Sequence, residues 1–430
     1  MKLNKIFLFF SVLIGCFPIL TFWMRSIITV VWCILGLILF FREKREYVFK
    51  KDIWLFIIPF LLLIFSLTYS SNLNKGVSSL IKMLSFLIFP FIFYLHRDFF
   101  NTKQISKIIY FFSTSVCCLV IFQIIQVLLN YSFITSSVTL LEIKSNGFKV
   151  LNEINEEKIS QIKLRRFRSF IIAVSNTHTT YQGLWISFAV FFLGFQFKKT
   201  KKKSVKIINA LLIVIITSWL YFISARMPLL ALLISSLLTI IFFSNFSRIK
   251  LIKLGLAFSI VLIASVSFKN PFSTRVKEYY NTGFTLLEKS SKTTEFNSSN
   301  VRNGIYYCDL ELISEFSIFG VGIGDVQDKL NECYRKKISS KIYTWTDYNS
   351  HNQYLFFWLS SGVFGFILFF LFLFYCFKKS IKYSKNFYFL FLFLVSFVFL
   401  TENLLSRSDG VIFFSFFNSL LFFNDFKKKV

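Results

Sequence analysis

The sequence predicts an all-α polytopic membrane protein with about twelve transmembrane helices and one large outer loop that is partly helical. Its 430 residues are 55% hydrophobic and only 16% charged, whereas soluble domains are about 25% charged. The mean hydropathy is +0.63. The 62 Phe residues are more than one globular core needs, but they suit many lipid-facing helices. These observations exclude a soluble cytosolic enzyme.

Apolar segments close to the ~20 residues needed to cross a bilayer recur along the chain. We predict spans at 6–22, 26–41, 53–70, 77–95, 108–129, 179–197, 207–222, 228–244, 254–268, 352–376, 386–404 and 410–425.

The positive charge is distributed unequally between the segments on the two sides of the membrane. If the N-terminus is cytoplasmic, the seven inner segments hold 26 Lys and Arg against 5 acidic residues, a net charge of +21 of the total +28. The outer loop 269–350 holds 11 basic and 10 acidic residues. This is the positive-inside pattern. It predicts a plasma-membrane protein with both termini cytoplasmic, and basic runs such as Lys198–Lys203 beside anionic lipid rather than nucleic acid.

The predicted spans divide the chain into five parts. These are helices 1–5 (1–129), an outer loop with an interfacial helix (130–178), helices 6–9 (179–268), the large periplasmic loop (269–350) and helices 10–12 (351–430). The interfacial helix is predicted between Glu153 and Arg168, and a second loop helix between Val301 and Phe319.

The large loop carries two further features. Alternating glycines in 319–325 predict a tight turn with close backbone packing, because no Lys-Ser/Thr follows them to form a nucleotide loop. Cys308 and Cys333 both lie in this loop. The sequence leaves open whether they form a disulfide. No Cys or His spacing resembles a metal site.

Polar groups near a bilayer are costly and often functional, and four such groups lie at the outer ends of predicted helices. Ser224 and Arg226 separate two helices with almost no loop, just before Pro228. A guanidinium beside a helix N-terminus suits phosphate, although Arg226 could equally be an interfacial anchor. Arg302 begins the second loop helix, where a simple solvated charge is the alternative.

The other two groups lie at the tenth and eleventh helices. His351 and Asn352 open the tenth helix, where an imidazole can accept a proton from a hydroxyl or merely cap the helix. Glu402 and Arg407 bracket the end of the eleventh helix, and a mutual ion pair is the alternative.

Further candidates lie elsewhere on the predicted outer face. Arg165, Arg166 and Arg168 form a basic cluster ahead of His178 and could instead contact lipid headgroups. Lys82 is another costly charge, which could snorkel. Because this face lacks ATP, chemistry there needs a substrate that arrives activated.

In this order, the motifs resemble those of the O-antigen ligase and polymerase superfamily of bacterial envelope polysaccharide synthesis. The resemblance covers roughly residues 205–375. It rests on Ser224/Arg226, on Arg302 through Phe319-Gly320-Val321-Gly322, and on His351-Asn352-Gln353-Tyr354-Leu355 followed by Gly362-Val363-Phe364-Gly365. The chain departs from the family in having Tyr306 where Trp is frequent, and Ser360-Ser361 where an acidic residue is frequent.

The resemblance implies an inverting, metal-independent transfer of a glycan from a polyprenyl-pyrophosphate carrier to an acceptor hydroxyl, with no cofactor. His351 would accept the proton or hold the substrate, and Arg226 and Arg302 would hold the pyrophosphate. The substrate-binding candidates are Ser224, Asn352, Arg168, His178, Glu402 and Arg407.

The identity of the acceptor stays open at this point. A lipid A core sugar would make the protein a ligase, which we favour; a growing glycan would make it a polymerase, and a protein hydroxyl an oligosaccharyltransferase. A transporter is a different class, but transporters concentrate polar groups near the membrane midplane. A non-catalytic scaffold would not need these His and Arg residues.

Overall fold

A computed structural model describes residues 2–42, 51–97, 99–145, 156–243, 249, 280, 283–287 and 297–424, and this part of the chain is helical with no strand. Its helices are α1 Lys2–Gly15, α2 Phe22–Arg42, α3 Lys51–Ser66, α4 Leu73–Met83, α5 Ser85–Leu95, α6 Thr102–Leu129, α7 Tyr131–Thr135, α8 Leu140–Ser145, α9 Glu156–Ser175, α10 Thr179–Lys199, α11 Lys203–Phe222, α12 Arg226–Phe243, α13 Ser298–Glu315, α14 Val326–Cys333, α15 Gln353–Lys382, α16 Asn386–Phe399 and α17 Ser408–Asn424.

The two faces of α2 show why these helices need a membrane. Its exposed apolar side chains recur every three or four residues and form one continuous stripe: Trp23, Ile27, Val30, Ile34, Ile38 and Phe41. The opposite face buries Ile28, Trp32 and Leu39. A soluble helix places polar side chains on its exposed face, so an apolar exposed stripe indicates contact with lipid. The protein is a multi-pass membrane protein.

Seven helical segments within the described residues are long and apolar enough to cross a bilayer, and Asn386–Phe399 and Ser408–Phe423 are shorter apolar helices. Eleven of the twelve predicted spans coincide with helices of the structure. The predicted span 254–268 lies outside the described residues. The count of about twelve spans therefore stays a prediction.

Phenylalanine fills the interior as well as facing lipid. Helices α10 and α17 are buried along most of their length, with α6 and α16 packed around them. Phe188 of α10 and Phe112 of α6 both contact Phe417, with ring centroids 4.9 Å and 4.8 Å apart. Aromatic rings bury large areas and add edge-to-face attraction. The core that positions the site is built largely from such contacts.

Both predicted loop helices form. The charged stretch predicted between Glu153 and Arg168 is α9, and the stretch predicted between Val301 and Phe319 is α13. Asn297 caps α13 in a capping box with Asn300, which explains why this helix starts earlier than predicted.

The predicted glycine turn after α13 packs directly on α15. Gly320 and Gly322 have φ of +73° and +86°, and the helical run of α15 is interrupted at Gly362, where φ is +67°. The two backbones are joined by hydrogen bonds from Val321 N to Leu359 O (2.7 Å) and from Val363 N to Ser317 O (2.9 Å). No side chain could fit between them, so glycine is required on both sides. We call the end of the bundle at this contact the loop end.

Two more links hold the loop segment to the loop end. The carboxylate of Asp325 accepts hydrogen bonds from the backbone N–H groups of Ser71 (2.7 Å) and Asn72 (2.8 Å), between α3 and α4. A disulfide joins Cys308 of α13 to Cys333 of α14, which answers the question the sequence left open. The segment 298–353 is therefore fixed both internally and to the helices beneath it.

We expect Gly362→Ala to destabilise the protein by about 2 kcal/mol or more, because its positive φ disfavours a side chain and the added Cβ would lie 1.9 Å from Ile318 O. Gly194→Ala is the matched control, since a Cβ there meets no atom within 4 Å. Thermal unfolding of the purified proteins in detergent measures both. Equal melting temperatures for the two variants would contradict the proposed role of the glycine contact.

Candidate active site

The loop end brings together a histidine, an arginine and a carboxylate from three separate segments. Glu402, which follows the end of α16, lies with Oε2 3.6 Å from His351 Nδ1 and with Oε1 3.8 Å from Arg302 Nη2. The exposed fractions of their side chains are 16% for Glu402, 28% for His351 and 36% for Arg302. Glu402 is thus mostly buried, while Arg302 and His351 remain partly accessible.

The position of His351 follows from hydrogen bonds on either side of it. Ser350 Oγ donates to Asn403 Oδ1 (3.1 Å), and Gln353 Oε1 accepts from the backbone N–H of Leu405 (2.8 Å). These bonds join the start of α15 to the segment after α16 and so place His351 beside Glu402. His351 adopts φ +45°, a strained conformation for a residue with a side chain.

Asn352 has a structural task in this arrangement. Its side-chain oxygen accepts hydrogen bonds from the backbone N–H groups of Tyr354 (2.9 Å) and Leu355 (3.1 Å), so it is the N-cap of α15. The cap sets where the helix begins, and thereby where the preceding His351 lies.

The electrostatic surroundings keep Glu402 ionised. Burial by itself would raise the pKa of Glu402, but the nearby His351, then the charges of Arg302 and His178, lower this pKa below its usual value. A carboxylate that stays ionised can stabilise positive charge developing on the neighbouring imidazole.

His178, at the start of α10, interacts with the set formed by Glu402, His351 and Arg302, which we call the Glu402 group. It is the N-cap of this helix, and its Nδ1 accepts from Thr180 N at 3.3 Å. Burial lowers the pKa of His178. The charge of Glu402 opposes this shift, and the charges of Arg168, Arg407 and His351 reinforce it. A lowered pKa agrees with the acceptor role of Nδ1, which requires the uncharged ring.

The three arginines of α9 separate into different roles. Arg168 Nη2 donates to Thr179 Oγ1 at 2.7 Å, next to His178. Arg166 instead holds Glu142 in a fork, with 2.6 Å to each carboxylate oxygen, and also donates to nearby backbone carbonyls. Arg165 interacts electrostatically with Tyr348 in the segment leading to His351.

The Ser224–Pro228 turn lies beside the first turns of α10. A Cβ at Gly183 would lie 2.6 Å from Ala225 Cβ and 3.0 Å from Pro228, so this glycine lets the turn approach closely. The turn places Ser224 and Arg226 at the loop end, on the same side as the helix that His178 begins. Ser224 has φ +53°, and its buried Oγ makes no hydrogen bond to the described residues.

Arg407 lines a cavity of about 1090 Å³ adjoining this group. Apolar side chains such as Ile81, Ile88 and Phe122 form much of its wall, and Lys82 and Arg407 add exposed cationic groups. We call this space the amphipathic cavity. Arg407 also interacts electrostatically with His178, which connects the cavity to the Glu402 group.

The sequence reasoning missed one charged pair at this cavity. Arg25 of α2 and Asp409 of α17 form an ion pair with side-chain exposed fractions of only 5% and 15%. Arg25 interrupts an otherwise apolar segment, which is the signal that could have identified it. The pair joins an early helix to the last one, so it fixes one wall of the amphipathic cavity.

A histidine titration tests the electrostatic arrangement, since the chain contains only three His residues. We expect His178 to titrate below its usual pKa of about 6.5. Glu402→Gln should lower this pKa further because a stabilising negative charge is lost, and Arg168→Gln should raise it because a repelling positive charge is lost. NMR of the protein labelled at histidine measures the shifts, with His178→Gln assigning the resonance. A normal pKa unaffected by Glu402→Gln would contradict this arrangement.

Comparison with known proteins adds one finding. Residues 211–370 match the family model described as O-antigen ligase, a family of glycosyltransferase-like ligases. The match includes Arg226, Arg302 and His351 and ends before Glu402. No curated protein matches the chain. The similarity to the O-antigen ligase family therefore covers residues 211–370 of the 430-residue chain.

Proposed function

We propose that the protein moves a glycan from a polyprenyl-pyrophosphate carrier to an acceptor hydroxyl, with a lipid A core sugar as the acceptor, at the outer leaflet of the bacterial plasma membrane. The observation that carries this proposal is the meeting of His351 and Arg302 at the carboxylate of Glu402. Two of these three residues belong to the segment that matches the O-antigen ligase family.

The reaction is a direct displacement at the anomeric carbon. The acceptor oxygen forms a bond to this carbon, and the bond from the carbon to the phosphate oxygen breaks. The electron pair of the broken bond leaves with the pyrophosphate, and the hydroxyl proton passes to His351. One displacement inverts the anomeric centre. The energy comes from the pyrophosphate leaving group.

His351 suits the role of general base because of its partner. With Nδ1 facing Glu402 at 3.6 Å, a ring protonated at Nδ1 turns this N–H toward the carboxylate and keeps Nε2 for the acceptor proton. The ionised Glu402 then stabilises the imidazolium that forms. Glu402 itself is a positioning residue, since it acts on the substrates through His351.

Arg226 and Arg302 can neutralise the negative charge of the pyrophosphate. Guanidinium groups bind phosphate oxygens in forked, charge-assisted hydrogen bonds. Arg302 is 36% exposed and its distance to Glu402 is 3.8 Å, so it can take a second anionic partner. Arg226 lies at the N-terminus of α12, where backbone N–H groups favour an anion. Together they would stabilise the charge on the leaving group without a metal ion.

The carrier lipid suits the amphipathic cavity. A polyprenyl pyrophosphate has a long apolar chain and a strongly anionic head, and this cavity combines apolar walls with the cationic groups Lys82 and Arg407. In the proposed orientation both termini are cytoplasmic and the loop end is periplasmic, and the charge asymmetry of the predicted spans supports this orientation.

We expect His351→Ala to lower the turnover rate by at least about 100-fold, and Arg226→Ala and Arg302→Ala to lower it by about 100-fold each. Purified protein, a polyprenyl-pyrophosphate-linked glycan and candidate acceptors are mixed in the presence of a chelator, and transfer is measured. Lys341→Ala, which removes an exposed cation outside the group, is the control and should keep wild-type activity.

The acceptor that receives the glycan in this assay distinguishes a ligase from a polymerase and from an oligosaccharyltransferase. Transfer to a lipid A core sugar supports a ligase, transfer to a growing glycan identifies a polymerase, and transfer to a protein hydroxyl identifies an oligosaccharyltransferase. Wild-type activity in both His351→Ala and Arg226→Ala would overturn the proposed site.

We expect Lys82→Ala and Arg407→Ala to raise the KM for the lipid-linked donor by about tenfold each, because each removes a hydrogen bond to an anion. The turnover rate and the KM for the acceptor should change little. Lys82→Arg keeps the charge and should keep the donor KM. An unchanged donor KM in both alanine variants would place the carrier outside the amphipathic cavity.

A further inference from the structure

A second cavity lies at the loop end, with a volume of about 1260 Å³. Three segments line it: residues 71–74 before and at the start of α4, the helix α14 with the turn after it, and residues 343–347. We call it the polar cavity. Of its lining residues, only Leu73 has a purely aliphatic side chain.

The chemistry of the lining distinguishes this cavity from the amphipathic one. Carboxylates, amides, hydroxyls and a phenol all contribute to its wall, which is the mixture of donors and acceptors that sugar hydroxyls require. Its charged residues are Asp325, Asp328, Glu332 and Asp347 against Lys329 and Arg335, a net charge of −2. Such a lining disfavours phosphate and has no wall for an acyl or prenyl chain.

The size of the cavity points to more than one sugar. Small-molecule pockets usually have volumes of about 300–1,000 Å³, and this cavity is larger. Trp345 lies between two lining residues and is 48% exposed, but it does not itself line the cavity.

The walls of the polar cavity are fixed in position. Asp325 bonds to the backbone of Ser71 and Asn72, and Asn331 Nδ2 donates to Asp347 Oδ1 at 2.8 Å. Tyr343 Oη donates to the backbone of α13 at Val301 O (2.8 Å). A site held in this way loses little entropy when a ligand binds.

Some lining groups remain available to a ligand. The side chains of Asn74, Arg335 and Thr346 are exposed, and they make no hydrogen bond or ion pair to the described part of the chain. They lie on three different segments around the cavity. A ligand that fills it can therefore be bound from three sides.

One wall of the polar cavity lies close to His351 along the chain. Asp347 precedes His351 by four residues, so their Cα atoms are at most about 14 Å apart. The intervening Tyr348 is held in place, because its carbonyl accepts from Tyr334 Oη and from Gln327 Nε2, both at 3.1 Å. A short oligosaccharide spans this distance.

We propose that the polar cavity binds an oligosaccharide segment of a substrate, so that the sugar to be joined reaches His351. This inference rests on the proposed function and adds the part of the site that recognises the glycan. The glycan can belong to the lipid-linked donor or to the acceptor, which share this chemistry. The experiment below separates the two sources.

The test uses the purified full chain and two delipidated probes. One is the oligosaccharide released by mild acid from the polyprenyl-linked glycan of the source cells, and the other is the oligosaccharide released from their acceptor lipid. Binding is measured by saturation-transfer NMR, which needs no turnover. Thr346→Trp and Asn74→Trp fill the cavity from different walls. Ser314→Trp adds the same bulk at an exposed position on α13 outside the cavity and is the matched control.

We expect at least one probe to bind the wild type, to bind at least tenfold more weakly to Thr346→Trp and Asn74→Trp, and to bind normally to Ser314→Trp. Arg335→Ala changes no bulk and should weaken binding to a smaller extent, which keeps the test valid if a Trp variant does not fold. Binding of neither probe to the wild type, or equal binding to all folded variants, overturns the inference.

A parallel transfer assay identifies the source of the glycan and separates the two proposals. A raised KM for the donor in Thr346→Trp assigns the cavity to the donor glycan, and a raised KM for the acceptor assigns it to the acceptor. His351→Ala should bind the probe normally while losing transfer. Probe binding that disappears in the cavity variants while His351→Ala retains full transfer would support the cavity and overturn the proposed function. Unchanged binding and KM in the cavity variants, with transfer lost in His351→Ala, would overturn the inference about the polar cavity and leave the proposed function standing.

Discussion

The loop end depends on the interactions of the Glu402 carboxylate with His351 and Arg302. This carboxylate is mostly buried, and it lies within 4 Å of both His351 and Arg302. At an effective dielectric constant of about 20, two unit charges 4 Å apart interact by about 4 kcal/mol. An attraction of this kind favours an orientation of Arg302 toward the carboxylate. Because these partners come from the segment before α15 and from α13, one carboxylate links two parts of the chain that the membrane helices alone would not align.

That alignment also depends on backbone contacts that only glycine permits. Gly320 and Gly362 let the turn after α13 and the interruption in α15 share hydrogen bonds directly. The bonds from Asp325 to the α3–α4 connection and the disulfide between Cys308 and Cys333 fix the rest of the loop segment. Chemistry that needs reacting groups held in place requires this kind of support, since small displacements are costly to the rate. The segment 298–353 is thus a rigid wall of the site.

Sequence patterns with a direct physical cause were sufficient to predict the helices and the close glycine turn. Apolar length predicted the helices, and Gly-x-Gly predicted the close turn, because each pattern fixes local geometry. The pairing of Glu402 with His351 and Arg302 could not be predicted, because a charge at the end of a helix has many partners within reach, among them Arg407. The buried pair of Arg25 and Asp409 was missed for a related reason. Two charges 384 residues apart in sequence give no local pattern that joins them.

The two cavities differ in charge in the way the proposed reaction requires. The lining of the amphipathic cavity carries Arg25, Lys82 and Arg407 against Asp409, a net charge of +2, whereas that of the polar cavity is −2. Arg407 at the amphipathic cavity interacts electrostatically with His178, and the polar cavity includes Asp347 in the segment before His351. A substrate with an anionic lipid head and a neutral glycan has lower energy in one orientation than in the reverse. This difference would align the sugar–phosphate bond at His351 before any bond is broken, since the anionic head is attracted by the amphipathic cavity and repelled by the polar cavity.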